Sequence, residues 1–102
     1  MLELRPNCEL CDKDLAPASA DAMICTYECT FCRDCVEKIL RNVCPNCGGN
    51  FCPRPVRPSR EHRRGVSLAR QPASTERVGS KYSEDEIRSF SAQLSDVAAK
   101  DR

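Results

Sequence analysis

Nine cysteines stand in the first half of this 102-residue chain: Cys8, Cys11, Cys25, Cys29, Cys32, Cys35, Cys44, Cys47 and Cys52. A thiolate binds soft metals, attacks electrophiles or pairs into a disulfide, so such a cluster has three chemistries open to it. Four C-x-x-C pairs can be drawn: Cys8/Cys11, Cys29/Cys32, Cys32/Cys35 and Cys44/Cys47. A turn of that length places two sulfurs on one ion, while backbone N–H groups point at the thiolates and stabilise their charge. Tetrahedral four-thiolate zinc takes two such pairs per ion. One C-x-x-C is a weak signal. Eight cysteines spaced C-x2-C-x13-C-x3-C-x2-C-x2-C-x8-C-x2-C are a strong one, and they point to two zinc ions.

The rival chemistries fit less well. The opening MLELRPNCEL shows no basic segment leading into an apolar one, as a secretory signal would. No apolar run approaches the roughly 18–20 residues that span a membrane. The chain is therefore expected in the cytoplasm, where thiols stay reduced and clustered cysteines more often hold metal. Cys29, Cys32 and Cys35 begin like an iron–sulfur run, but eight residues rather than three precede Cys44. Two sequential ribbons, Cys8/Cys11/Cys25/Cys29 and Cys32/Cys35/Cys44/Cys47, remain geometrically open. Cys52 is most simply a spare thiol.

Hydrolytic zinc chemistry finds no support. A deaminase-type site needs a histidine ligand, a catalytic glutamate and an open coordination position. The single histidine, His62, sits among arginines in Glu61-His62-Arg63-Arg64, where solvation explains it. Arg54, Arg57, Arg60, Arg63, Arg64 and Arg70 form a basic stretch able to track phosphates, so residues 54–70 are a candidate nucleic-acid contact. Only Tyr82 borders that stretch as an aromatic, which argues against base stacking.

Elements must hold these residues in place, and the chain divides into three parts. About fifty residues with one or two short apolar runs cannot bury enough surface to fold unaided, so residues 1–52 need their cross-links. Residues 53–82, rich in proline, arginine and serine, read as a mobile basic linker. Net charge runs −3 over residues 1–52, +6 over 53–81 and −2 over 82–102.

Residues 83–100 change character. Ser83 and Glu86 form a capping box, and Glu84, Asp85 and Glu86 suit the positive end of a helix dipole. Ile87, Phe90, Leu94, Val97 and Ala98 then recur at helical spacing. The expected amphipathic helix over 83–100 either packs on its own module or docks on a partner, since alone it is marginal in water.

The cysteine pattern resembles the RING finger. Phe31 precedes the fifth ligand where that family carries an aromatic, Val36, Ile39 and Leu40 follow the sixth, and Cys44-Pro45-Asn46-Cys47 matches its closing C-P-x-C. The resemblance implies a small zinc-stabilised α+β fold, RING-like or treble-clef, whose ligands pair alternately as a cross-brace. It implies a β-hairpin near residues 20–31 and a short helix near 33–42, with Ile24, Phe31, Val36, Ile39, Leu40 and Val43 wrapped on the metal sites. The first site would then be Cys8, Cys11, Cys32 and Cys35, and the second Cys25, Cys29, Cys44 and Cys47. It also implies that Leu10, Ile39 and Pro45 stand where ubiquitin-ligase RINGs contact a conjugating enzyme. Three departures matter: Cys29 replaces the usual histidine, no tryptophan follows the helix, and Gly48 rather than arginine follows the eighth ligand. The run from MLELRPNC to CPNCGG is also similar to a family of small bacterial proteins known only as a domain of unknown function.

These readings converge on a zinc-binding adaptor for a protein partner, without catalytic residues of its own. The alternatives are a RING-type ligase module for a ubiquitin-like conjugating enzyme, and a zinc protein that contacts nucleic acid through its arginines.

Overall fold

Three short strands organise the module, and every residue of the first two is buried. In the computed structural model, which describes all of residues 1–102, β1 (Ala22–Ile24) pairs antiparallel with β2 (Thr30–Cys32). Met23 stands opposite Phe31 and Ile24 opposite Thr30. β3 (Cys52–Pro53) adds to the other edge of β1, with Ile24 opposite Cys52, giving the order β2-β1-β3. The hairpin turn closes because Glu28 takes a left-handed conformation (φ 67°) and the Cys25 N–H reaches the Cys29 carbonyl at 3.2 Å.

β2 leads straight into α1 (Arg33–Cys35), which widens into a π-helical turn, Val36–Leu40. The wide turn ends at two consecutive left-handed residues, Arg41 (φ 50°) and Asn42 (φ 61°), and the Asn42 N–H returns to the Val36 carbonyl at 3.0 Å. Non-glycine residues adopt that conformation at a cost. Asn42 is well suited to it, and its side-chain oxygen accepts the Phe51 N–H at 2.9 Å. The helix expected near 33–42 thus stops at Leu40.

Phe31 is fully buried at the centre of the core and meets Phe51 edge-on, with ring centroids 5.5 Å apart. Val36, Leu40 and Val43 are buried as expected, Ile24 lies at the core margin, and Ile39 is only partly buried. Leu4, Leu15, Met23, Phe51 and Ile87 complete the interior. Leu4, Leu15 and Phe51 are single apolar residues in loops, which carry no periodicity, so a pattern search passes over them.

The largest departure from expectation is in residues 53–82. Instead of a free linker, this segment lies as a strap along the module. Arg54 is buried, its Nη1 donating to the Arg5 carbonyl at 2.8 Å and its Nη2 to the Ala16 carbonyl at 3.1 Å. Arg57 donates to the carbonyls of Gln71 (2.6 Å) and Leu2 (2.7 Å). The Ser74 N–H reaches the Leu4 carbonyl at 3.0 Å. The strap is held by polar groups, which satisfy loop carbonyls that no sheet or helix partners. Its composition therefore looks like that of a solvated chain.

The terminal helix, α2, spans Glu84–Leu94, shorter than the 83–100 expected. The capping box forms: the Ser83 oxygen accepts the Glu86 N–H at 3.2 Å, and the Glu86 carboxylate accepts the Ser83 N–H at 3.1 Å. After Ser95 the chain turns, closing with a 3-10 turn at Ala99–Asp101, and Ala98 is exposed. α2 packs on the Val36–Leu40 turn, burying Ile87 and Ser91. No helix is long and apolar enough to cross a membrane.

Candidate metal centre

Two C-x-x-C knuckles share one backbone design. In the first, the Asp12 N–H donates to the Cys8 carbonyl (3.0 Å) and the Cys8 N–H to the Lys13 carbonyl (2.8 Å). In the second, the Gly48 N–H donates to the Cys44 carbonyl (2.7 Å) and the Cys44 N–H to the Gly49 carbonyl (2.8 Å). Each knuckle closes on a left-handed residue directly after its second cysteine, Asp12 (φ 65°) and Gly48 (φ 80°). Amides aim at the sulfurs: Cys11 N–H to Cys8 Sγ at 3.5 Å, Tyr27 N–H to Cys25 Sγ at 3.3 Å and Gly49 N–H to Cys47 Sγ at 3.4 Å. Such bonds bring the positive ends of backbone dipoles to the sulfurs.

The fold gathers cysteines distant in sequence. The Sγ atoms of Cys8, Cys11, Cys32 and Cys35 all lie within 4.8 Å of one another. Those of Cys25, Cys44 and Cys47 form a second group within the same limit. Cys29 falls outside that limit, although it is buried and its carbonyl accepts the Cys25 N–H at 3.2 Å. Cys52 joins neither group and is exposed.

The donor sets fit a soft, tetrahedral cation. With Zn–S bonds of about 2.3 Å, tetrahedral ligands stand about 3.8 Å apart. Cys11 and Cys32 Sγ are 3.7 Å apart. Burial pushes the Cys35 and Cys44 thiols well above their ordinary range, and the charges of neighbouring cysteines, Cys8 for the one and Cys25 for the other, add to it. A divalent cation at the centre would offset that repulsion and the cost of burying thiolate charge. Cys11 and Cys47 are the exposed members, so each group opens to solvent on one side.

Three residues outside the cysteine pattern hold the first knuckle. Asn7, buried, donates from its amide to the Cys8 carbonyl at 3.1 Å and to Asp12 Oδ1 at 3.0 Å. The Glu9 carboxylate, also buried, accepts the Thr30 N–H and the Arg5 guanidinium (2.8 Å), tying the knuckle to β2. Arg77 pairs with Asp12 and Asp14 at 2.9 and 2.6 Å. Asn7 and Glu9 flank Cys8 in sequence, but nothing in their type announces burial, and Arg77 lies more than sixty residues away.

Leu10 and Ile39 are half-buried against the core, and Pro45 is buried. Pro45 shares the wall of a cleft with Tyr82, Glu86, Ile87 and Phe90, beneath α2.

A small α+β protein with two cysteine clusters able to hold metal is the class these features define. Residues 1–57 match the family described as "Protein of unknown function (DUF1272)", and the chain belongs to that family. It is also 59% identical over 78 residues to an uncharacterized protein of Rhizobium meliloti (strain 1021), covering 76% of this chain and 86% of that relative. That alignment is longer than the family region, so the likeness continues past Arg57. No solved structure matches the chain.

Proposed function

We propose that the chain is a zinc-structured protein-interaction adaptor with two structural ions, one on Cys8, Cys11, Cys32 and Cys35 and one on Cys25, Cys29, Cys44 and Cys47. The observation that carries this reading is the meeting of Cys8 and Cys11 with Cys32 and Cys35 within 4.8 Å, which is what a RING-like cross-brace would require. Four thiolates fill a tetrahedral ion, so neither site would keep a position for activated water. The ions would supply folding energy, and the surface would supply recognition. Cadmium-113 NMR tests the pairing: couplings from one ion to Cys8, Cys11, Cys32 and Cys35 support it. Couplings to Cys8, Cys11, Cys25 and Cys29 refute it. The adaptor role is tested by cross-linking to a defined partner, whose capture must be lost when zinc is removed.

The ligase alternative meets an obstacle within the chain. Pro45 is under α2, and the turn carrying Ile39 packs against the same helix. A conjugating enzyme would have to displace α2 to reach them.

One observation favours the nucleic-acid reading. The strap uses Arg54 and Arg57 for backbone carbonyls and pairs Arg70 with Glu61 at 2.6 Å. Arg60, Arg63 and Arg64 stay exposed, without a carboxylate partner, on a loop whose left-handed Gly65 and Gln71 side-chain bonds fix its shape. Three phosphate contacts would give a log–log salt slope of about −2.7 on duplex DNA. Binding unaffected by removing all three arginines refutes that role.

A further inference from the structure

Asn7 and Asp12 bracket the first knuckle, directly before Cys8 and directly after Cys11, and both also anchor the strap. The Asn7 amide accepts the Val78 N–H at 3.1 Å and donates to the Val78 carbonyl at 2.8 Å, as a strand neighbour would. Asp12 Oδ1 takes Arg77 Nε at 3.1 Å and Nη2 at 2.9 Å. The Ser80 N–H reaches the Glu9 carbonyl at 2.7 Å, and the Ser74 N–H reaches Leu4. Every one of these attachments falls on residues that precede, build or close the knuckle.

Turn bonds and the Glu9 tie to β2 hold the near side of the knuckle, but its far side is little covered. Cys11 and Asp12 are exposed and Leu10 is only half-buried. Asp12 lacks glycine's freedom in the left-handed region, so the closed turn carries a conformational cost. An ion gripping Cys8 and Cys11 would meet that cost. The second knuckle is clamped by a different piece of chain. Arg102 Nη1 donates to the Gly48 carbonyl (3.0 Å) and to the Asn42 carbonyl (3.1 Å), and Gly48 faces Leu94 and Phe90 of α2.

We infer that metal occupancy of the Cys8/Cys11/Cys32/Cys35 group controls whether residues 74–80 lie on the module, so that ion and strap bind it cooperatively. The inference rests on the zinc reading proposed above. Losing that ion relaxes the turn at Asp12, moves the acceptors of Arg77 and Val78, and releases the strap. Release dissolves the cleft of about 300 Å³ between Cys8–Asp12 and Arg77–Ser80, uncovers the buried Asn7 amide, and leaves the already exposed Asp12 and Asp14 carboxylates without their Arg77 partner. The second site and α2 stay in place. Linkage makes the coupling reciprocal: whatever loosens the strap must weaken metal at the first site by the same factor.

The test uses the zinc-loaded full chain with Arg77→Ala and Val78→Pro, neither of which alters a ligand or a core side chain. Zinc transfer to a chromophoric chelator should show two phases, and the phase missing from Cys11→Ser belongs to the first site. Both strap variants should bind two zinc ions, with first-site affinity weakened by about 5–150-fold and the second phase unchanged. In Cys11→Ser, the amides of Ser74, Val78 and Ser80 should lose hydrogen-exchange protection while those of α2 keep it. Strap variants that hold two ions and match the parent in first-site affinity overturn the inference and leave the zinc reading intact. A parent protein that binds no zinc refutes the zinc reading, and the inference with it.

Discussion

Ser91 Oγ donates to the Leu40 carbonyl at 2.7 Å, both groups buried, across 51 residues of sequence. Leu40 ends the π-helical turn, and its carbonyl accepts the Val43 N–H at 3.0 Å, leaving its second lone pair for a side chain. A serine therefore sits on the apolar side of α2. Ser91→Ala removes one of the two donors to a buried acceptor that keeps the Val43 N–H, at an expected cost of about 0.5–1.5 kcal/mol. Chemical denaturation of the zinc-loaded protein measures it, and no measurable change would show that the Val43 N–H alone satisfies the carbonyl.

Arg54 is a second buried donor, and it has no carboxylate beside it. Burial pulls its pKa below the ordinary arginine value, and its Nε finds no acceptor. Arg54→Ala loses both the carbonyl contacts and the packed stem, so it should cost more than about 2 kcal/mol. Arg54→Met keeps the stem and should cost measurably less. Equal losses for the two variants would show that stem packing contributes nothing.

Gly48 and Asp12 play one backbone role with different residues, and substitution separates shape from contact. A Cβ on Gly48 would stand 3.5 Å from Leu94 Cδ1 and 3.8 Å from Phe90 Cζ, in ordinary contact, so sterics allow it. The left-handed backbone does not favour it. Gly48→Ala should lower stability by about 1–2 kcal/mol and Gly48→Asn by less, as read by thermal unfolding. An alanine variant as stable as the parent would mean that the second knuckle relaxes freely.

Metal stoichiometry checks the least settled ligand. Cys29 stands apart from the Cys25, Cys44 and Cys47 group and must close on it to complete four-coordination. Elemental analysis should give two zinc ions per parent chain, one for Cys29→Ser, and two for Cys52→Ser. Two ions retained by Cys29→Ser would assign the fourth position to another donor.

Local chemistry was legible in the sequence, and distant polar contact was not. Cysteine spacing announced the knuckles because a C-x-x-C turn is set by neighbouring residues, and Ser83 with Glu86 announced the start of α2 for the same reason. The strap escaped because its attachments link Arg57 to Leu2 and Val78 to Asn7, across 55 and 71 residues, through carbonyls that every sequence possesses. The stripe on α2 was read from Ile87, Phe90 and Leu94, yet the two buried positions are Ile87 and Ser91. Hydrophobicity counts Ser91 as surface, but the Leu40 carbonyl makes it interior. The fold is that of the cysteines; its last third is fastened by groups that composition assigns to solvent.

The strap also sets an order of assembly during synthesis. Ribosomes extend a chain at about 5–20 residues per second, so Ser80 follows Cys35 by roughly 2–9 s. All four sulfurs of the first cluster are made within the first 35 residues, before any of the strap. The nascent chain thus offers an open, acidic cysteine cluster for seconds before Arg77 arrives to pair with Asp12 and Asp14. An ion taken up in that interval would shape the knuckle before the strap is there to fasten on it.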